Sequence, residues 1–170
     1  MESDEIRIAG VVKESIVDGP GIRYVVFTQG CPHKCEGCHN PQTHDFNGGK
    51  LVSIEKIVED IRKDPLIKGI TISGGEPFMQ ANQVAKLIAM LGKDKYNVMV
   101  YSGFLYEYLV KNSNESNGYL KLLNLSDILI DGKFDIAKKS ELIPFRGSTN
   151  QRAIDVKRSL EEAKVILHEF

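Results

Sequence analysis

Three cysteines, Cys31, Cys35 and Cys38, stand in the run Gly30-Cys31-Pro32-His33-Lys34-Cys35-Glu36-Gly37-Cys38-His39-Asn40-Pro41, and the chain has no others. Odd in number and crowded together, they read poorly as a disulfide framework and well as thiolate ligands. A C-x3-C-x2-C loop can wrap three thiolates round one face of a metal centre, because Gly, Pro and Asn let the backbone turn tightly and aim its amides at cluster sulfurs. Three ligands leave one iron of a four-iron cluster without a protein thiolate, and an open position separates a reactive metal site from a closed structural one. The same count disfavours a ferredoxin-like electron carrier, which needs a fourth cysteine. A second reading of the same cysteines is a Cys3His zinc site completed by His33, His39, His44 or His168, in a non-catalytic interaction module.

A second candidate loop is Ser73-Gly74-Gly75-Glu76-Pro77. Taken alone, Gly-Gly before Pro is an ordinary turn signal. At the end of a strand, however, glycines let a ligand approach the backbone, and the Glu76 carboxylate with neighbouring carbonyls could receive an ammonium group, as an amino-acid-like ligand would present. Ser102, after a strand ending at Tyr101, and Asp131 with Lys133, after the last strand, complete the set. Asp131 and Lys133 read either as a solvated ion pair or as ligand contacts. His33, His39 and His44 read as exposed loop histidines, and Asp18-Gly19-Pro20-Gly21 as a tight turn. Arg146, Ser148, Asn150 and Gln151 read either as organisers of their own loop or as a surface for docking another protein.

The elements that must position these loops follow from periodicity. Runs rich in β-branched and aromatic residues predict strands at Ile22 to Thr28, Gly69 to Ile72, Asn97 to Tyr101 and Asp127 to Ile130, with an edge strand at Ile6 to Val12. Apolar residues at i, i+3, i+4 and i+7 predict helices through Ile54, Ile57, Val58 and Ile61, with Ser53 as N-cap, and through Val84, Leu87, Ile88 and Leu91. Further helices are expected at Phe104 to Lys111, Tyr119 to Leu125 and, as an accessory C-terminal element, at about 156–168. Strands alternating with helices indicate an α/β class with a mainly parallel sheet or barrel, whose ligands gather at the C-terminal ends of the strands. The chain has 170 residues, too few for a complete eight-fold barrel, so the expectation is an incomplete parallel (β/α) barrel in a single domain, 1–170. With 42% hydrophobic residues it can build one core, and 22 basic against 23 acidic residues leave no basic footprint for nucleic acid. No apolar run is long enough for a membrane helix, and the acidic start, Met1 to Glu5, has no apolar run behind it. No membrane or nucleic-acid partner and a cytoplasmic location are therefore expected.

Together, the C-x3-C-x2-C and Gly-Gly-Glu-Pro loops resemble those of the radical S-adenosylmethionine superfamily. The resemblance implies one [4Fe-4S] cluster per chain on Cys31, Cys35 and Cys38, with S-adenosylmethionine chelating the fourth iron through its amino and carboxylate groups. It implies that Gly74, Gly75 and Glu76 lie beside the methionyl amine and Gly37, Cys38 and His39 beside the adenine end, with Ser102, Asp131 and Lys133 as further contacts. A narrower set is similar to the activating proteins of glycyl radical enzymes: Asp18-Gly19-Pro20-Gly21, Cys38-His39-Asn40-Pro41-Gln42-Thr43, Asp131-Gly132-Lys133-Phe134 and Phe145-Arg146-Gly147-Ser148-Thr149-Asn150-Gln151. The last run points, within them, to the family that activates anaerobic ribonucleoside-triphosphate reductase. This implies a radical-generating oxidoreductase whose partners are that reductase, as protein substrate, and a low-potential electron donor. Another glycyl radical activase, or a small-molecule synthase of the superfamily, remains an alternative.

Overall fold

The computed structural model describes residues 4–92 and 94–170; Met1, Glu2 and Ser3 of the acidic N-terminal run lie outside them. Strands β1 (Glu5–Ser15), β2 (Arg23–Thr28), β3 (Lys50–Ser53), β4 (Gly69–Gly74), β5 (Asn97–Tyr101), β6 (Ile128–Asp131) and β7 (Arg152–Asp155) form one sheet in the order β3-β1-β2-β4-β5-β6-β7. The helices are α1 (Ile54–Arg62), α2 (Ala81–Leu91), α3 (Tyr106–Lys111), α4 (Tyr119–Leu125) and α5 (Val156–Glu162). None is long and apolar enough to cross a membrane.

β2, β4, β5 and β6 are parallel neighbours, and α1, α2 and the α3–α4 pair supply the crossovers that parallel strands need. β1 and β2 are joined only by a short loop and so pair antiparallel, as do β3 with β1 and β7 with β6. The result is a mixed α/β sheet in place of a mainly parallel one. β1, expected at an edge, lies between β3 and β2. The four-residue strands β3 and β7 were not expected, being too short to show alternation.

The helices are stacked through apolar residues onto one face of the sheet, where Tyr24, Val26, Ile70, Ile72, Val98, Val100, Leu129 and Ile154 meet them; α3 contributes Tyr106 and Leu109. α1 buries Ile54, Ile57, Val58 and Ile61, and α2 buries Val84, Leu87, Ile88 and Leu91 among others. Helices this short are marginal alone; burial of each Leu or Ile, worth about 1.5–3 kcal/mol, decides their formation. Ser53 is the N-cap of α1, although its side chain makes no capping bond. The opposite face carries a smaller cluster of Met99, Ile128, Ile130 and Ala153, with Tyr101 and Phe145 against it.

That second face also holds a buried cation. Arg23 is 1% exposed; its Nε donates to Thr71 Oγ1 (2.8 Å), Nη1 to the Pro20 carbonyl (2.9 Å), and Nη2 to the Ile70 and Asn97 carbonyls (2.9 and 3.0 Å). Thr71 Oγ1 in turn donates to the Asp18 carbonyl (2.7 Å). Burial brings the guanidinium down to about 10, so it stays charged at neutral pH and pins the Asp18-Gly19-Pro20-Gly21 turn beneath the sheet.

The C-terminal helix is shorter than its pattern predicts. α5 stops at Glu162 because Ala163 turns left-handed (φ +56°). The tail then returns to β7, with the Asp155 amide donating to the Ile166 carbonyl (2.9 Å) and the His168 amide to the Ala153 carbonyl (2.8 Å). Val165 and Ile166 are β-branched and suit this extended return better than a helix.

Replacing Arg23 by Leu leaves these acceptors buried without a donor. A loss of about 3 kcal/mol is expected, read from the urea midpoint of the full chain.

Candidate metal centre

Because the four parallel strands end on the same side, the segments after Thr28, Gly74, Tyr101 and Asp131 meet there around a cavity of about 520 Å³. That volume suits one small-molecule ligand. Of the residues singled out from sequence, Cys31, Cys35, Cys38, His39, Gly74, Gly75, Ser102 and Lys133 line it. Gly37 is exposed in the cysteine loop. Glu76 and Asp131 are fully buried and are absent from the lining.

Each cysteine is met by backbone amides: those of His33 and Lys34 reach Cys31, that of Phe134 reaches Cys35, and that of Asn40 donates to Cys38 Sγ (3.4 Å). Burial outweighs these amides and raises the Cys31 and Cys35 thiols above the ordinary value, while Lys133 pulls Cys35 the other way. All three thiols are free. Among the described residues, no three His, Cys, Asp or Glu side chains are grouped so as to hold one metal ion. Three thiols on one cavity wall, each with amides aimed at its sulfur, are a donor set that fits an iron–sulfur cluster.

Of the histidines of the zinc alternative, His33, His39 and His44 line the same cavity as the cysteines, and His168 does not. His33, expected to be exposed, has a side chain only 6% exposed and bound to Glu76. His39 is exposed and tilts against Phe134 (4.9 Å), and His168 belongs to the tail on β7. His44 lines the cavity, and its Nε2 is buried without a partner. An orphaned ring nitrogen in the wall fits a site that takes a polar group.

The glycine pair is required by the protein's own backbone. Gly74 has φ +95°, and a Cβ there would lie 2.5 Å from the Thr28 nitrogen, while one on Gly75 would overlap the Gly30 carbonyl. This close approach permits two hydrogen bonds of 2.8 Å, from the Gly75 amide to the Thr28 carbonyl and from the Glu76 amide to the Gly30 carbonyl. The loop after β4 is thereby stitched to the start of the cysteine loop.

Asp131 points the other way. Side chains alternate along a strand: Ile128 and Ile130 face the cavity side of the sheet, and Leu129 the helices. Asp131 shares Leu129's face and accepts from the Tyr106 amide at the start of α3 (2.8 Å) and from Arg152 (2.5 and 3.0 Å). The ion pair with Lys133 is thus replaced by one with Arg152, which also grips Glu107 (2.6 Å). The two carboxylates raise the Arg152 guanidinium, and Arg152 lowers Glu107. Sequence reading missed Arg152; only the register Asp131 to Arg152 of β6 and β7 exposes the pairing.

The Phe145–Gln151 run organises its neighbours. Gln151 Nε2 donates to the Gly132 carbonyl (3.0 Å), Asn150 Nδ2 to the Lys133 carbonyl (2.8 Å), and the Asp135 amide to Ser148 Oγ (3.1 Å). The Tyr101 hydroxyl holds the Phe145 carbonyl (2.5 Å). Arg146 and Phe145 remain on the cavity wall.

An Arg152→Met substitution leaves Asp131 buried and unpaired, and a destabilisation of about 3 kcal/mol is expected, again measured by urea unfolding.

Comparison with known proteins places the chain beside iron–sulfur proteins. The family model described as a 4Fe-4S single cluster domain matches residues 17–154. Anaerobic ribonucleoside-triphosphate reductase-activating proteins are similar along most of their length. That of Salmonella typhi is 33% identical over 80% of this chain and 90% of its own. That of phage T4 is 31% identical over 80% and 85%, and that of Escherichia coli K12 33% identical over 80% and 90%. Among solved structures, QueE from Escherichia coli superposes with a TM-score of 0.48 at 15% identity, covering 75% of this chain and 70% of that one.

Proposed function

The chain belongs to the family of anaerobic ribonucleoside-triphosphate reductase-activating proteins and to that of the 4Fe-4S single cluster domain, and from that premise we propose that it is a radical S-adenosylmethionine oxidoreductase that activates such a reductase. The observation that carries the reading is one cavity lined by three thiols met by amides, the Gly74–Gly75 backbone, Ser102 and two cations, Lys133 and Arg146.

Cys31, Cys35 and Cys38 would hold the [4Fe-4S] cluster. When bound, the cluster and S-adenosylmethionine supply the radical chemistry: one electron cleaves the sulfonium to methionine, and a hydrogen taken from a glycine Cα of the reductase gives 5'-deoxyadenosine and a glycyl radical. This chain's own residues supply geometry and access. Amides at the sulfurs stabilise thiolate ligands, Lys133 and Arg146 offer charge to a ligand carboxylate, and carbonyls beside Gly74 and Gly75 offer acceptors to its ammonium. Gly37, Cys38 and His39, with Phe134 against the His39 ring, would meet the adenine end. Ser102 fixes the loop after β5, and Asp131 acts through α3 and β7. Such fixed polar groups position the reacting bond without a general base.

The sheet keeps β3 and β7 as separate edges. Read as an incomplete (β/α) barrel in one domain, it leaves a lateral opening through which a loop of a large protein can reach the cavity, past Phe145 and Arg146. A low-potential electron donor and a cytoplasmic setting complete the reading.

The test is low-temperature electron paramagnetic resonance of anaerobically reconstituted, reduced protein with and without S-adenosylmethionine. A [4Fe-4S]+ signal that changes shape on addition is expected; a silent sample with stoichiometric zinc and no sulfide overturns the proposal. Arg146→Glu is expected to weaken reductase binding and lower the glycyl radical yield while leaving iron content unchanged, as measured by co-sedimentation, radical quantitation and iron assay.

A further inference from the structure

Glu76 is 0% exposed, and its carboxylate is already saturated by the protein. Oε1 lies 2.6 Å from His33 Nε2, 2.8 Å from the Gly103 amide and 3.0 Å from Ser102 Oγ; Oε2 lies 3.0 Å from both the Phe78 amide and Ser102 Oγ. These four donors match the roughly four lone-pair sites of a carboxylate. An incoming ammonium group finds neither a free lone pair nor a route from the cavity, which Glu76 does not line.

What the carboxylate does hold is the cysteine loop. His33 lies between Cys31 and Cys35, and facing a carboxylate oxygen its Nε2 is the donating nitrogen. Its ring packs edge-on against Phe104 (4.6 Å, 75°), which stacks on Tyr108 (4.8 Å, 8°). Gly103 leaves room for it: a Cβ there would lie 2.5 Å from His33 Cδ2. The Glu76 amide meanwhile donates to the Gly30 carbonyl (2.8 Å). Glu76 therefore grips the loop on both sides of Cys31, by its backbone at Gly30 and by its side chain at His33.

We propose that Glu76 and His33 form an internal strut that sets the cysteine loop against the loops after β4 and β5, and that Glu76 serves the bound ligand as a positioning residue through that strut. The consequence for the ligand rests on the function proposed above; the strut itself does not. The ligand's ammonium is left to backbone carbonyls beside Gly74 and Gly75.

Hydrogen exchange by mass spectrometry on the metal-free full chain tests the strut directly. His33→Phe keeps a ring against Phe104 but removes the donor, and amides of residues 31–38 are expected to exchange about tenfold faster or more, with α2 unchanged. His33→Gln restores a donor and is expected to restore protection. Unchanged exchange over 31–38 in His33→Phe overturns the proposal. If His33→Phe also loses protection in α2, Ser102→Ala decides, since it removes one donor to Glu76 away from the cysteine loop. Faster exchange over 31–38 supports the strut, and unchanged exchange there overturns it. On reconstituted protein of equal iron content, His33→Phe is expected to need about tenfold more S-adenosylmethionine to change the resonance line shape, and His33→Gln to behave like the parent chain. A shift in Glu76→Gln with none in His33→Phe would instead make Glu76 a direct ligand contact and overturn the positioning role. Absence of any ligand-induced change in the parent protein would refute the proposed function while leaving the exchange result to judge the strut.

Discussion

Two backbone hydrogen bonds, from the Gly75 amide to Thr28 and from the Glu76 amide to Gly30, hold the rest of the site in relation. They exist only because positions 74 and 75 carry no Cβ, and they join the end of β4 to the end of β2 at the point where the cysteine loop begins. Once that stitch is made, Glu76 is carried inward, beneath the cavity, where a carboxylate must find donors or forfeit its solvation. Ser102, Gly103, Phe78 and His33 are those donors. A glycine pair that resembles a ligand-binding loop is thus equally a constraint of sheet assembly, and both properties come from the same missing side chains.

A similar economy holds at the other carboxylate. Asp131 ends β6 on the helix side and gathers the first amide of α3 and the guanidinium of Arg152. Lys133, two residues on, turns to the cavity. The strand ends between them: Gly132 turns left-handed (φ +101°), so that Asp131 fixes the scaffold on the helix side while Lys133 is carried to the cavity wall. Beneath the sheet, Arg23 gives the Asp18 turn the same treatment with carbonyl acceptors.

Much of this was legible in the sequence, and what was not has a physical reason. The buried strands β2, β4 and β5 announce themselves by β-branched runs, and α1 and α2 by apolar stripes, because their formation is decided by burial. The cysteine spacing names its own chemistry. β3, β7 and the returning tail are too short for any period to show, and pairing partners far along the chain decide them. Which face a polar residue takes at a strand end is likewise invisible until the register is known. Glu76 and Asp131 were therefore found as chemical types but not as scaffold, His33 read as an exposed loop residue, and Arg23 and Arg152 passed unnoticed.

The return of the tail along β7 has a consequence for solution behaviour. An open sheet offers unpaired amides and carbonyls at its outer strands, and such edges recruit strands from other molecules. Here residues 166–168 occupy the free side of β7, while the opposite edge, β3, is only four residues long and starts at a lysine. The tail thus covers the pairing groups of one edge, and the other offers only a short row of them, which leaves little for the strands of another molecule to pair with.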